Sequence, residues 1–147
     1  MAKVKTTLRG FAKRINKIGI DIEKNADTLV RKVAITVASS VVLATPVDTG
    51  RARANWRTAL GTAERGVRDP FATGKKGSTG SQNISGVIAE TQRVVAGYQG
   101  NGEVFISNNL PYIGPLNTGT SDQAPAGFVE IAVNNGVRAV RQAKVIK

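Results

Sequence analysis

The chain of 147 residues contains no cysteine and no histidine. Without thiols no disulfide can staple it, so its fold must stand on packing and assembly. The missing thiolate and imidazole also remove the usual zinc sites, the Ser-His triad and the commonest general base. Aromatic residues are sparse, with one Trp, two Tyr and four Phe, and they form no pattern of stacking platforms, zinc-finger spacing or recognition helix. Long apolar runs are absent as well. The longest, Ala38 to Ala44, is broken by Ser39 and Ser40 and falls far short of the roughly 20 residues of a membrane span. The N-terminal "MAKVKTTLRGFAKR" lacks the apolar stretch of a signal peptide. These absences lead to the expectation of a soluble protein made in a cytoplasm, with no membrane partner.

Acidic residues are scarce, 10 against 21 basic ones, giving a net charge of +11. Such a chain is drawn to polyanions or to an acidic protein surface unless assembly buries the charge. The carboxylates are scattered: Asp21, Glu23 and Asp27 on one predicted helix, Asp48 in a turn, Glu64 and Asp69 in a loop. They form no acid/base dyad and no metal cluster. "GKKGSTG" places Gly77 between Lys76 and Ser78, which breaks the order a phosphate-binding P-loop requires. No enzymatic activity, cofactor or metal is therefore expected.

What is present is a pattern for one domain over residues 1–147. From Phe11, apolar residues recur at Ile15, Ile18, Ile22, Ala26, Leu29, Val33, Val37 and Val41, a helical stripe that Pro46 stops. A basic arm, 1–10, precedes it. "VDTG" reads as a tight turn. From Arg51, alternation puts Ala52, Ala54, Trp56, Thr58 and Leu60 on one face of a strand and Arg51, Arg53 and Arg57 on the other. Residues 61–80 hold five glycines and one proline without any period, and they read as a long flexible loop.

Helical spacing returns at Ile84, Val87, Ile88, Thr91, Val94, Val95 and Tyr98, with Ser81 or Asn83 placed to cap it and Gly100 to end it. "EVFIS", Glu103 to Ser107, reads as a short strand that pairs with the first. A helical turn is expected over Tyr112 to Leu116. A last helix is expected near Pro125, carrying Phe128, Ile131, Ala132, Val137 and Val140 and weakened by Asn134, Asn135 and Gly136. A basic tail, 142–147, closes the chain. The sum is a small α+β domain in which a long N-terminal helix and two shorter ones pack on a small, mainly antiparallel sheet. Two strands are marginal alone, so a third strand or a neighbouring subunit's strand is expected.

Three roles are open to Arg51, Arg53 and Arg57: a solvated face paired to Asp48 or another carboxylate, a subunit contact, or a track for phosphates. Trp56, on the opposite face, reads as a core anchor.

Two segments carry a further signal. "TPVDTGRARANW" after a long amphipathic helix, and "ISNNLPYIGPLNTGTSDQAPAGFVEIAV" before a terminal helix, resemble the tail-completion and neck proteins of tailed bacteriophages, the group related to the minor tail protein Z of phage lambda. The resemblance covers about 45 to 145. It implies a structural, non-enzymatic virion protein made in the host cytoplasm and placed at the head–tail junction as a ring, expected to be a hexamer. Its neighbours would be tail-terminator, tail-tube or head-connector proteins. Carried onto this chain, the fold signature is Pro46, Asp48, Thr49, Gly50, Trp56, Leu110, Pro111, Tyr112, Gly119, Pro125 and Gly127. Arg51, Arg53 and Arg57, with Lys75 and Lys76 of the loop, become candidate contacts to subunits or to DNA in the lumen. The group often has an acidic residue after Tyr112, where this chain has Asn117. The competing expectation is a free, non-specific nucleic-acid-binding protein.

Overall fold

The computed structural model describes residues 8–142, and side chains from Ala26 onward except those of Ala139 and Val140. The expected basic arm falls outside these residues through position 7, and the expected tail from position 143. In chain order the elements are α1 (Leu8–Ala44), α2 (Arg51–Ala54), β1 (Arg57–Leu60), α3 (Gly80–Val95), β2 (Val104–Ser107), α4 (Ile113–Asn117) and α5 (Phe128–Gln142). The domain is a small α+β fold organised around one long helix.

Helix α1 runs 37 residues, about 55 Å at the helical rise. Its buried stripe is Ala34, Ala38, Val41 and Val42. It ends as expected before Pro46, where the Thr45 amide and hydroxyl both bond back to the Val41 carbonyl. Helices α3 and α5 pack along it. The core forms where its C-terminal turns meet Trp56, Val87, Ala124, Phe128 and Ala132.

The two strands pair antiparallel, with Arg57 opposite Ser107 and Thr58 opposite Ile106. Thr58 turns inward and shares a 2.9 Å hydrogen bond with Thr91 of α3, both hydroxyls buried. Among the described residues the sheet has no third strand. Helix α3 packs on β1 and gives it a cover that two strands lack alone, whereas all four residues of β2 are only partly buried.

Four local expectations are corrected. The strand expected from Arg51 begins only at Arg57, because the four residues before Asn55 form the helical turn α2. Gly50 at φ 89° redirects the chain, and the amides of Ala54 and Asn55 close onto Gly50 and Arg51. One turn of helix is too short to separate a period of 3.6 from a period of 2, and the alternating small alanines fit either. Helix α3 starts at Gly80, so Ser81 lies in its first turn and Asn83 inside it rather than at a cap. It stops at Val95, well before Gly100.

Helix α5 starts at Phe128, so Pro125 stands outside it, and Gly127 supplies the left-handed turn before it at φ 77°. The "NNG" stretch expected to weaken α5 lies within a continuous helix. Gly136 is buried because it faces Val33 and Val37 of α1, and a side chain there would collide with Val37. The buried stripe is therefore Phe128, Ala132 and Gly136, while Ile131 and Val137 are exposed.

Candidate functional site

The two motif segments, some sixty residues apart in the chain, converge on one open cleft of about 320 Å³. One wall is the turn from Pro46 to Ala52. The other is Tyr112 and Leu116 of the α4 region, with Ser121 and Gln123. Gln123 ties the walls together by accepting from the Val47 amide at 2.9 Å. Arg51 is exposed and Tyr112 is 41% exposed, so the cleft offers one guanidinium and one phenol to solvent.

The turn is built by its sequence. The Asp48 carboxylate accepts from the Lys76 amide at 2.7 Å, and the Asp48 carbonyl accepts from the Gly77 amide at 2.9 Å. These bonds dock the lysine pair on the turn; both Lys75 and Lys76 are exposed, and Lys76 adopts φ 53°. Gly50 has a second reason to be glycine besides its φ: a Cβ there would run into the Asn83 amide. The Thr49 hydroxyl lies at the 3.5 Å limit from the Arg51 amide.

The three arginines do not form one face. Arg51 lines the cleft. Arg53 folds back on the end of α1, its Nε donating to the Thr45 carbonyl at 2.9 Å and its terminal nitrogen to Leu43 at 3.5 Å. A cation there satisfies helix-end carbonyls and complements the helix dipole. Burial pulls its pKa below the ordinary arginine value. Arg57 pairs with Glu64 at 3.3 Å. The pairing of one arginine with Asp48 or another carboxylate, weighed from the sequence, is met by Glu64 at Arg57, while backbone carbonyls hold Arg53. The alternation that suggested a common face fails because two of the three residues are helical.

Of the remaining signature residues, Trp56 and Leu110 are buried in the fold. Trp56 is buried and donates from its indole nitrogen to the Thr45 hydroxyl at 2.8 Å, pinning β1 to the end of α1. Leu110 is buried, its amide held by Asn108, and the Asn108 amide group donates to the Ala52 carbonyl at 2.9 Å. Pro111 and Pro125 are exposed. Gly119 at φ 102° packs on Ala126.

Several organising residues are not apparent from the sequence pattern. Asn117 caps α5: its carbonyl accepts from Gly127, its side-chain oxygen from Val129 at 2.9 Å, and its amide group donates to Glu130 at 3.0 Å. The Asn117 that departs from the resembled pattern thus has a structural task. Asn83 is fully buried and clips the loop, accepting from the Ala72 amide and donating to the Ala72 and Thr79 carbonyls.

Arg68 gathers four groups. It donates to the Ala54 and Trp56 carbonyls, pairs with Glu90 of α3, and lies over the Phe71 ring at 4.5 Å. Its amide donates to Asn55, and Asn55 donates back to the Arg68 carbonyl. Asn109 ties the same loop by donating to the Glu64 and Gly66 carbonyls. A loop arginine and two asparagines carry no periodic signal; only the spatial return of the loop identifies them.

No group of three or more potential metal ligands occurs among the described residues, and no helix among them is long and apolar enough to cross a membrane. No family model matches the chain, and neither the curated proteins nor the solved structures contain a match.

Proposed function

We propose that this chain is a structural, non-enzymatic subunit of a tailed-bacteriophage particle. It assembles as a ring, with six copies expected, at the head–tail junction, where it joins the tail to the head-side connector. The ring's axial neighbours are tail-terminator, tail-tube or head-connector proteins, and assembly takes place in the host cytoplasm. The observation that carries this reading is the division of labour within the two resembling segments. Trp56, Leu110 and Ala124 are buried as scaffold. Arg51 and Tyr112, from different segments, are held exposed across one cleft. Arg and Tyr are the residue types that carry protein–protein contacts.

In this reading the lumen-facing role does not fall to Arg53 and Arg57. Arg53 and Arg57 are engaged within the fold, whereas residues 1–25 hold seven of the 21 basic side chains and two of the 10 acidic ones. Contact with DNA in a lumen is non-specific and charge-driven, so it belongs chiefly to that basic stretch. The same concentration of charge favours, as a second reading, a free non-specific nucleic-acid binder.

Cryo-electron microscopy of particles containing the chain tests the first reading, with the long α1 helix as the fitting landmark. A ring at the joint is the expected result. Absence of the chain from purified particles, together with tight and salt-dependent DNA binding by the monomer, refutes it in favour of the second reading.

A further inference from the structure

A ring of identical subunits needs two different surfaces on each copy, one donating and one receiving, because a head-to-tail contact is what closes a ring. The cleft around Arg51 is a receiver. It opens directly beyond the end of α1, at Pro46 and Val47.

Farther back along α1 stands the turn that links α3 to β2. Arg31 of α1 donates to the Tyr98 carbonyl, and the Asp27 carboxylate lies against Gly100. Arg31 and Thr45 are separated by about 21 Å along α1, so the turn and the cleft of one copy stand apart. Residues 99–103 are all exposed. Gly100 and Gly102 both take positive φ, 84° and 82°, and open space surrounds Gly102. The turn is therefore slim.

Charge marks the two features as a pair. Among the described residues Arg51 is in no ion pair, while Arg57 and Arg68 each have a carboxylate. Glu103 is exposed and is likewise in no ion pair among the described residues. The other exposed carboxylates are placed differently. Asp48 lines the cleft, bonded to the Lys76 amide, and Asp122 sits between two of its lining residues. Asp69 adjoins the Arg68 anchor, and Glu130 accepts from Asn117.

We propose that the Gln99–Glu103 turn of one copy seats in the Arg51–Tyr112 cleft of the next, with Glu103 meeting Arg51. The Asn101 amide is of a kind to bond Ser121 and Gln123 on the cleft wall, and Tyr112 supplies the aromatic surface. The contact rests on the ring reading above and gives that ring its repeated joint.

The chain has no cysteine of its own, which makes the contact directly testable. Asn101→Cys with Ser121→Cys in one chain, oxidised at high protein concentration, should yield a covalent ladder, while each single variant yields dimers at most. In parallel, Arg51→Glu and Glu103→Arg should each weaken self-association about tenfold or more, read by sedimentation and native mass spectrometry. The double charge swap should restore it, with melts of the dilute, monomeric chain unchanged throughout because both positions are exposed.

The absence of a ladder overturns the proposal, as does a swap that fails to restore association. A ring seen at the neck without the 101–121 cross-link overturns this contact alone. A ladder from a chain absent from particles supports the contact and refutes only its placement in the virion.

Discussion

Gly136→Ala sets two forces against each other whose difference has a measurable sign. Replacing a glycine inside a helix with alanine stabilises an exposed helix by about 1 kcal/mol. Here the added methyl would overlap a Val37 methyl and come within 3.5 Å of one on Val33. Val37 is β-branched, with one strongly preferred helical rotamer, and cannot swing aside cheaply. The alternative is for α5 to back away from α1, which loosens Phe128 and Ala132 in the core. Overpacking of this kind costs about 1–3 kcal/mol. It should outweigh the propensity gain, leaving a net loss of up to about 2 kcal/mol and a Tm lower by up to about 6 °C.

Urea unfolding followed by fluorescence of the single Trp56 measures the effect, since that indole is buried. Val37→Ala supplies the control: in that background Gly136→Ala should become stabilising, with a coupling energy of about 2 kcal/mol. A rise in the urea midpoint for Gly136→Ala alone, or the same change in both backgrounds, would refute the close approach of α5 to α1.

Further expectations follow from the buried polar bonds and from the location of the charge. Asn83→Ala should cost about 1–3 kcal/mol, because it removes the bonds to Ala72 and Thr79 and leaves partly buried backbone groups without partners; limited proteolysis between 61 and 79 should accelerate, and an unchanged cleavage rate counts against the clip. Trp56→Phe and Thr45→Val should each destabilise by about 1–3 kcal/mol, yet the pair should cost less than the sum, since together they delete both ends of one buried bond; strict additivity in a double-mutant cycle contradicts it. Neutralising Arg53 and Arg57 should leave the salt dependence of any DNA binding nearly unchanged, whereas neutralising Lys13, Arg14 and Lys17 should flatten it, the slope falling by close to one unit for each phosphate that is no longer neutralised; titrations at several salt concentrations distinguish the two.

Much of this architecture is legible in the residues. The apolar stripe from Ala26 to Val41 marks α1, Pro46 marks its end, and β-rich "VFIS" marks β2, because each signal is local and spans several repeats of its own period. Arg51 to Ala54 reads as strand although it is helical, because a single turn of helix gives no room for the periods to diverge. The start of α5 is displaced in the same way, since a proline in a turn looks like a proline in a first helical turn. The functional pattern is similarly divided. The arginine-rich turn and the "NLPY" segment that supply the candidate cleft are visible in the chain. That Arg51 alone of the three arginines lines the cleft is not visible there.

Composition and near-neighbour sterics dictate the long helix, the strand that pairs, the glycine-rich stretch between motifs and the exclusion of thiol and imidazole chemistry. All of these can be read along the chain. The folded arrangement alone makes Gly136 a packing contact, sets Asn117 as the cap of a helix that starts well beyond it in the chain, gives Asn83 and Arg68 their hold on the loop, and brings the two motifs to one cleft. Each of those depends on groups brought together across the fold, where the identity of a partner, rather than any local propensity, sets the energy.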